Sequence, residues 1–227
     1  MATQHLDLDE QEQLDQLKQF WAKFGNIISW ALIAILSAYA AWLGYNTWQN
    51  KQAANASAIY EQLDKAARTL DVATVKTALT DINASYAKTS YANQANLVAA
   101  KVYQDKAMPE EAKAALQNVI DNAKDDSYVA MARLRLASVL VEQKNYDAAL
   151  KTLEVKVPEA FEGLVADRQG DIYQLNNKAS EAKAAYETAY KKLPETAVYR
   201  RIVEVKLRSL GAEPPVVASQ AASAAQP

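Results

Sequence analysis

Two pairs of adjacent acids, Asp125-Asp126 and Glu110-Glu111, are the residues whose type most suggests acid–base chemistry. Neighbouring positions on a helix point in different directions, so neither pair converges on one substrate atom. Both stand in loops or at helix starts, where acids offset the helix dipole. The only histidine, His5, cannot build a triad or a multi-histidine metal site. The absence of cysteine excludes disulfides, thiolate nucleophiles and cysteine zinc sites. No cofactor and no metal site is implied, and an enzyme is not expected.

Charge points the same way. Of 27 acidic and 25 basic residues, Asp7, Asp9, Glu10, Glu12, Asp15, Lys18 and Lys23 fall near the N-terminus, leaving a nearly neutral remainder. Such a balance lacks the dense positive face that nucleic acid requires.

Binding chemistry remains. Gln94, Leu97, Lys101 and Gln104, then Met131, Leu134, Ser138 and Val141, then Leu164, Asp167, Asp171 and Gln174, recur at matching intervals. The set is apolar at its centre and acidic at its C-terminal end, which suits an amphipathic helix or an unfolded apolar segment. The alternative is that Met131, Leu134 and Val141 are covered by the last helix. With Lys101 the only base in the set, a clamp for a peptide carboxylate is not expected. Arg200, Arg201, Lys206 and Arg208 cluster late in the chain, either as a solvated face offsetting a helix dipole or as a contact for acidic lipid or a partner.

These residues need a scaffold that repeats. In three segments a small residue is followed after three positions by a large one and after nine more by alanine, with a period of about 33–37 residues. The clearest copy has Gly170, Tyr173, Ala182, Tyr186, Ala189 and Pro194. Small residues let two antiparallel helices approach, tyrosines fill the space beside them, and proline ends the second helix. Ala137, Leu140, Ala149 and Leu153 keep the spacing, with Lys156 where a small residue is usual; Ala100, Tyr103, Ala112, Leu116 and Val119 form the copy before. These spacings resemble tetratricopeptide repeats. The first helices of such a stack line a concave face, where the binding residues above would stand.

The repeats are expected near 93–129, 130–162 and 163–196. A degenerate helix pair over 57–91 precedes them, with Tyr60, Leu63, Val75, Leu79 and Ile82 at a spacing that does not match. A capping helix over 197–210 follows, with Val198, Ile202, Val205 and Leu210 expected to face the preceding repeat. Gly211 should stop it. The tail, 211–227, has too little apolar surface to order itself.

Upstream, no charge falls between Lys23 and Lys51, and residues 27–45 read IISWALIAILSAYAAWLGY. About 20 apolar residues span a hydrocarbon core of roughly 30 Å. Phe20, Trp21, Phe24 and Trp30 at one end, and Trp42, Tyr45 and Trp48 at the other, match an interfacial belt. A buried core helix is usually shorter. A cleavable signal at Ala38-Tyr39-Ala40 is disfavoured by the long acidic leader. Lys18 and Lys23 against Lys51 lean toward a cytoplasmic N-terminus. Leu14, Leu17, Trp21 and Phe24 lie on one helical face of the leader, suited to the membrane interface or to docking a cytoplasmic partner. With no glycine or proline between Gly44 and Pro109, the helix should leave the bilayer unbroken, placing the repeats near the membrane on a helical stalk.

The expected fold is all-α: a leader (1–25), one transmembrane helix (26–48) and a tetratricopeptide-repeat-like α-solenoid (49–210). This order of parts, with Phe20-Trp21, Leu134-Arg135-Leu136-Ala137, Asp147-Ala148-Ala149-Leu150-Lys151-Thr152-Leu153 and Val165-Ala166-Asp167 ahead of Gly170, resembles the ancillary SecYEG translocon subunits, the YfgM-type family of Gram-negative inner membranes. The resemblance implies an inner-membrane protein with a cytoplasmic leader and a periplasmic repeat domain. It also implies association with the translocon and with a membrane-anchored periplasmic chaperone, a role with exported polypeptides, and no catalytic residues. The proline-containing tail departs from that pattern.

Overall fold

The computed structural model describes residues 8–215, with side chains from residue 12. His5 and most of the tail expected to be disordered lie outside the described residues. The chain divides into two units, residues 1–52 and 53–227.

In the first unit, α1 (Leu8–Arg68) carries the apolar run. It is long and apolar enough to cross a membrane once, and none of its most apolar stretch is buried. The core helix of a soluble protein is mostly covered by its own chain, and this stretch is not. In the leader, the Phe20 and Phe24 rings meet one turn apart in a tilted contact, with centroids separated by 5.1 Å.

In the second unit the end of α1 is followed by α2 (Val72–Tyr86), α3 (Ser90–Asp105), α4 (Pro109–Asn122), α5 (Asp126–Glu142), α6 (Tyr146–Leu153), α7 (Glu159–Leu175), α8 (Ala179–Lys192) and α9 (Tyr199–Ser209). Asp71, Thr89 and Asp125 cap α2, α3 and α5 by accepting backbone N–H bonds, and Pro109 opens α4, where a missing N–H is harmless. From α2 onward neighbouring helices pack pairwise, and successive first helices, α3 with α5 and α5 with α7, also touch. The core is strung along the stack in three clusters, centred on α1–α5, α5–α7 and α7–α9.

One backbone device sets the period. Leu70, Ala107, Lys144 and Asn177 have φ of 55, 55, 59 and 59°, and Gly211 has φ of 69°. After each, an N–H reaches back five residues: Asp71 to the Ala66 carbonyl (2.9 Å), Met108 to Tyr103 (2.8 Å), Asn145 to Leu140 (2.9 Å), Lys178 to Tyr173 (2.9 Å) and Ala212 to Leu207 (3.1 Å). This is the Schellman closure of a helix C-terminus, here mostly without glycine.

Counted from these turns, the first helix pair is in register after all. Leu63, Ala66, Val75, Leu79 and Ile82 stand 37 residues before Ala100, Tyr103, Ala112, Leu116 and Val119, and all ten are buried. The expectation of mismatched spacing came from size: Leu63 and Ala66 exchange bulk relative to Ala100 and Tyr103. Lys156 is explained too. Helix α6 stops at Leu153, before that position is reached, and Pro158 holds the chain extended on the way into α7.

Gly170 of α7 lies close against Tyr186 of α8. A Cβ there would lie 2.5 Å from two ring carbons of Tyr186, so the close neighbour is this tyrosine and not Tyr173 or Ala182. Pro194 is exposed just past α8.

The last helix corrects the sequence expectation. Val203 and Leu207 are buried against α8, together with Arg200, whereas Val198, Ile202 and Val205 are 81, 48 and 66 % exposed. Of the apolar stripe assigned to the packed side, Leu210 rests on this cluster as expected, whereas the other three residues face outward.

Candidate functional site: the face of the first helices

Bonds between successive first helices are built from the repeat period. Gln94 Nε2 donates to the Tyr128 hydroxyl (3.0 Å), an Arg135 guanidinium N–H donates to the Leu97 carbonyl (2.9 Å), and Gln104 Nε2 donates to Glu142 (3.3 Å). These bonds fix α3 beside α5 and set the distance between their binding positions. Burial of Arg135 lowers its pKa from the usual guanidinium value.

The candidate residues divide. Leu97, 5 % exposed, is part of the core, and so cannot meet a partner in this conformation. Lys101 is exposed and paired with Asp105 (3.0 Å), and Gln104 is half-buried. Met131, Leu134, Ser138 and Val141 are half-buried. Met131 rests on the α1–α5 core, while Leu134 and Val141 rest on the cluster shared by α5, α6 and α7. The cover therefore comes from the core beneath them and not from α9.

Asp167 is a further correction. It is 2 % exposed and accepts from Lys206 Nζ at both oxygens (2.8 Å each) and from the Tyr199 hydroxyl (2.6 Å). Lys206 also reaches Asp171 (2.6 Å). The Tyr186 hydroxyl donates to Asp171 (2.8 Å), with Gln174 as a second acceptor at 2.9 Å. The acidic end expected of the face is thus largely satisfied from within by α9. Asp171 remains half-buried and Gln174 exposed.

Burial and the hydrogen bonds to Asp171 and Asp167 push the Tyr186 and Tyr199 phenols far up from the ordinary value. Both tyrosines therefore stay neutral donors, and Lys206 carries the cationic charge that meets the two carboxylates.

The late basic cluster is not one face. The buried Arg200 donates from Nε to the Tyr190 carbonyl (3.1 Å) and lies 4.0 Å from that ring's centroid. Lys206 is committed to α7, and Arg208 pairs with Glu204 (2.8 Å). Arg201 is exposed and makes no side-chain hydrogen bond or ion pair among the described residues.

Sequence reasoning missed Val198, Ile202 and Val205 as surface residues. They stand 34 residues after Leu164, Arg168 and Asp171, and Gly211 stands 34 residues after Asn177. By this register helix α9 matches the first helix of a further repeat that lacks its second helix among the described residues, with Val198 and Val205 aligned to Leu164 and Asp171 of α7. Gly211 ends α9 as expected, and the turn it makes there also carries that register. Among the described residues no group of three or more acids and histidines could hold a metal ion.

One apolar span and a stack of paired helices closed by a common turn define a membrane-anchored scaffold of tetratricopeptide-repeat type, and residues 18–212 match the model of the tetratricopeptide repeat-like domain. The chain is 33 % identical over 207 residues to an ancillary SecYEG translocon subunit of Neisseria gonorrhoeae, covering 89 % of this chain and 98 % of that one. It is 29 % identical over 202 residues to the protein of that name in Escherichia coli (89 and 97 % covered) and 28 % identical over 203 residues to that of Haemophilus influenzae (89 and 98 % covered). The chain belongs to the family of the ancillary SecYEG translocon subunits.

Proposed function

We propose that this protein is an inner-membrane accessory subunit of the SecYEG translocon, binding other proteins through the face of its first helices and performing no catalysis. The carrying observation is the likeness over nearly the whole length of relatives bearing that name, span and repeats alike. The leader, residues 1–25, is cytoplasmic and the repeat domain, 49–210, periplasmic, in keeping with Lys18 and Lys23 before the span. There the domain works on newly exported polypeptides beside a membrane-anchored periplasmic chaperone. A rigid stack of helices with half-exposed Met131, Leu134 and Val141 offers apolar contact to a segment that has not yet folded.

The test is co-purification of the full chain after mild detergent extraction. Recovery of translocon subunits is expected; their absence, with another envelope complex recovered instead, would make the protein a scaffold for that complex. Protease added to intact spheroplasts should digest the chain beyond Lys51, whereas complete protection until lysis would reverse the orientation.

A further inference from the structure

The end of a helical stack ordinarily presents a polar outer surface, since an apolar one invites association. Helix α9 with its N-cap breaks this rule: Val198 at the cap and Ile202 and Val205 in the helix are spaced four and three apart, so that they form one stripe about two turns long. Two exposed cations stand beside the stripe: Arg201, which makes no side-chain hydrogen bond or ion pair among the described residues, and Arg208, seven residues on, shared with Glu204.

We propose that this stripe docks an amphipathic helix of a partner protein, one presenting aliphatic residues at helical spacing flanked by carboxylates. This rests on the proposed role of the first-helix face in binding proteins and names its C-terminal end as a separate contact. Aliphatic side chains supply the contact area, and Arg201 selects an acidic flank, because a guanidinium binds a carboxylate with two parallel N–H bonds. A second copy of the chain is a poorer occupant. Pairing α9 antiparallel with itself brings the Arg201 and Arg208 flanks together, and like charges across a contact oppose it.

The test uses the full chain in nanodiscs of zwitterionic lipid, with empty nanodiscs as control, and two labelled helical peptides. Both carry leucines at i, i+4 and i+7, one flanked by glutamates and the other by lysines. The glutamate peptide is expected to bind, and more weakly as salt rises. Arg201→Glu should cost that peptide about tenfold in affinity and transfer the preference to the lysine peptide. Ile202→Asp should abolish both interactions while the helical circular dichroism stays unchanged. Equal binding of the two peptides, or indifference to Arg201→Glu, would overturn the proposal. So would a dimer of the wild type that Ile202→Asp splits, or Ile202-dependent attachment to anionic vesicles without peptide discrimination. Translocon recovery by the Ile202→Asp chain separates the two claims. If peptide discrimination fails but recovery persists, only the α9 contact falls; if the wild type recovers no translocon, the functional proposal falls whatever the peptides do.

Discussion

Adding a single methyl group at Gly170 should destabilise the repeat domain. An alanine Cβ would lie 2.5 Å from Tyr186 Cδ1 and Cε1, nearer than side-chain carbons tolerate. The ring cannot easily retreat, because Tyr186 is fully buried and its hydroxyl is held between Asp171 and Gln174. Overpacking of this kind costs about 1–3 kcal/mol, and displacing a hydrogen bond to a charged acceptor adds about 1.5–3 kcal/mol where it occurs. Against this, alanine is the better helix former by about 1 kcal/mol. A net loss of about 2 kcal/mol is expected for Gly170→Ala, more for Gly170→Leu. In a domain of this size that lowers the melting midpoint by roughly 4–8 °C, read by circular dichroism at the helix minimum on the full chain in detergent. Tyr186→Leu in the Gly170→Ala background should be less harmful than the two single changes predict, since the clash is then absent. An unchanged or raised midpoint for Gly170→Ala would refute the reasoning, because it is the behaviour of an exposed helical glycine.

At the turn between α3 and α4, Ala107→Gly should raise stability by about 1 kcal/mol, since φ of 55° strains a side-chain-bearing residue and not glycine; a lower melting midpoint would refute this. On α9, Val203→Ser should lower the midpoint clearly, whereas Ile202→Ser should leave it within the change of about 0.5 kcal/mol typical of surface sites; equal effects would contradict the assignment of faces. The Tyr186 and Tyr199 phenols have folded pKa values raised above the ordinary tyrosine value of about 10, chiefly by burial and then by their carboxylate partners. Their contribution is present below about pH 10 and is lost as pH climbs above it, because the unfolded chain ionises first. Ultraviolet titration should therefore show late phenolate formation coincident with unfolding, and Tyr186→Phe should remove part of the late signal; full ionisation of the folded protein near pH 10 would oppose this.

Periodicity made much of this protein visible before its structure. The charge-free run after Lys23 had few physical solutions other than a spanning helix, because length, apolarity and aromatic flanks all agree. The three helix pairs from Ala100 to Pro194 were legible because close helix approach demands small residues at fixed positions and large ones to fill the remaining volume. Two features escaped for the same reason in opposite forms. At the first pair, Leu63 and Ala66 fill the space of Ala100 and Tyr103 with the sizes exchanged, so a pattern of side-chain size missed a repeat that the backbone turn at Leu70 preserves. At the last helix, size and polarity pointed to the wrong side. Val198, Ile202 and Val205 are the more apolar stripe, yet α9 packs through Val203, Leu207 and Arg200. On that side Lys206 and Tyr199 reach the carboxylates of Asp167 and Asp171, and Arg200 finds the Tyr190 carbonyl and ring. Sequence determined that α9 would be a helix with an apolar stripe. Only the tertiary structure decided which stripe it buries, because pairing the acids of α7 depends on residues 32 to 39 positions away that local hydrophobicity cannot weigh.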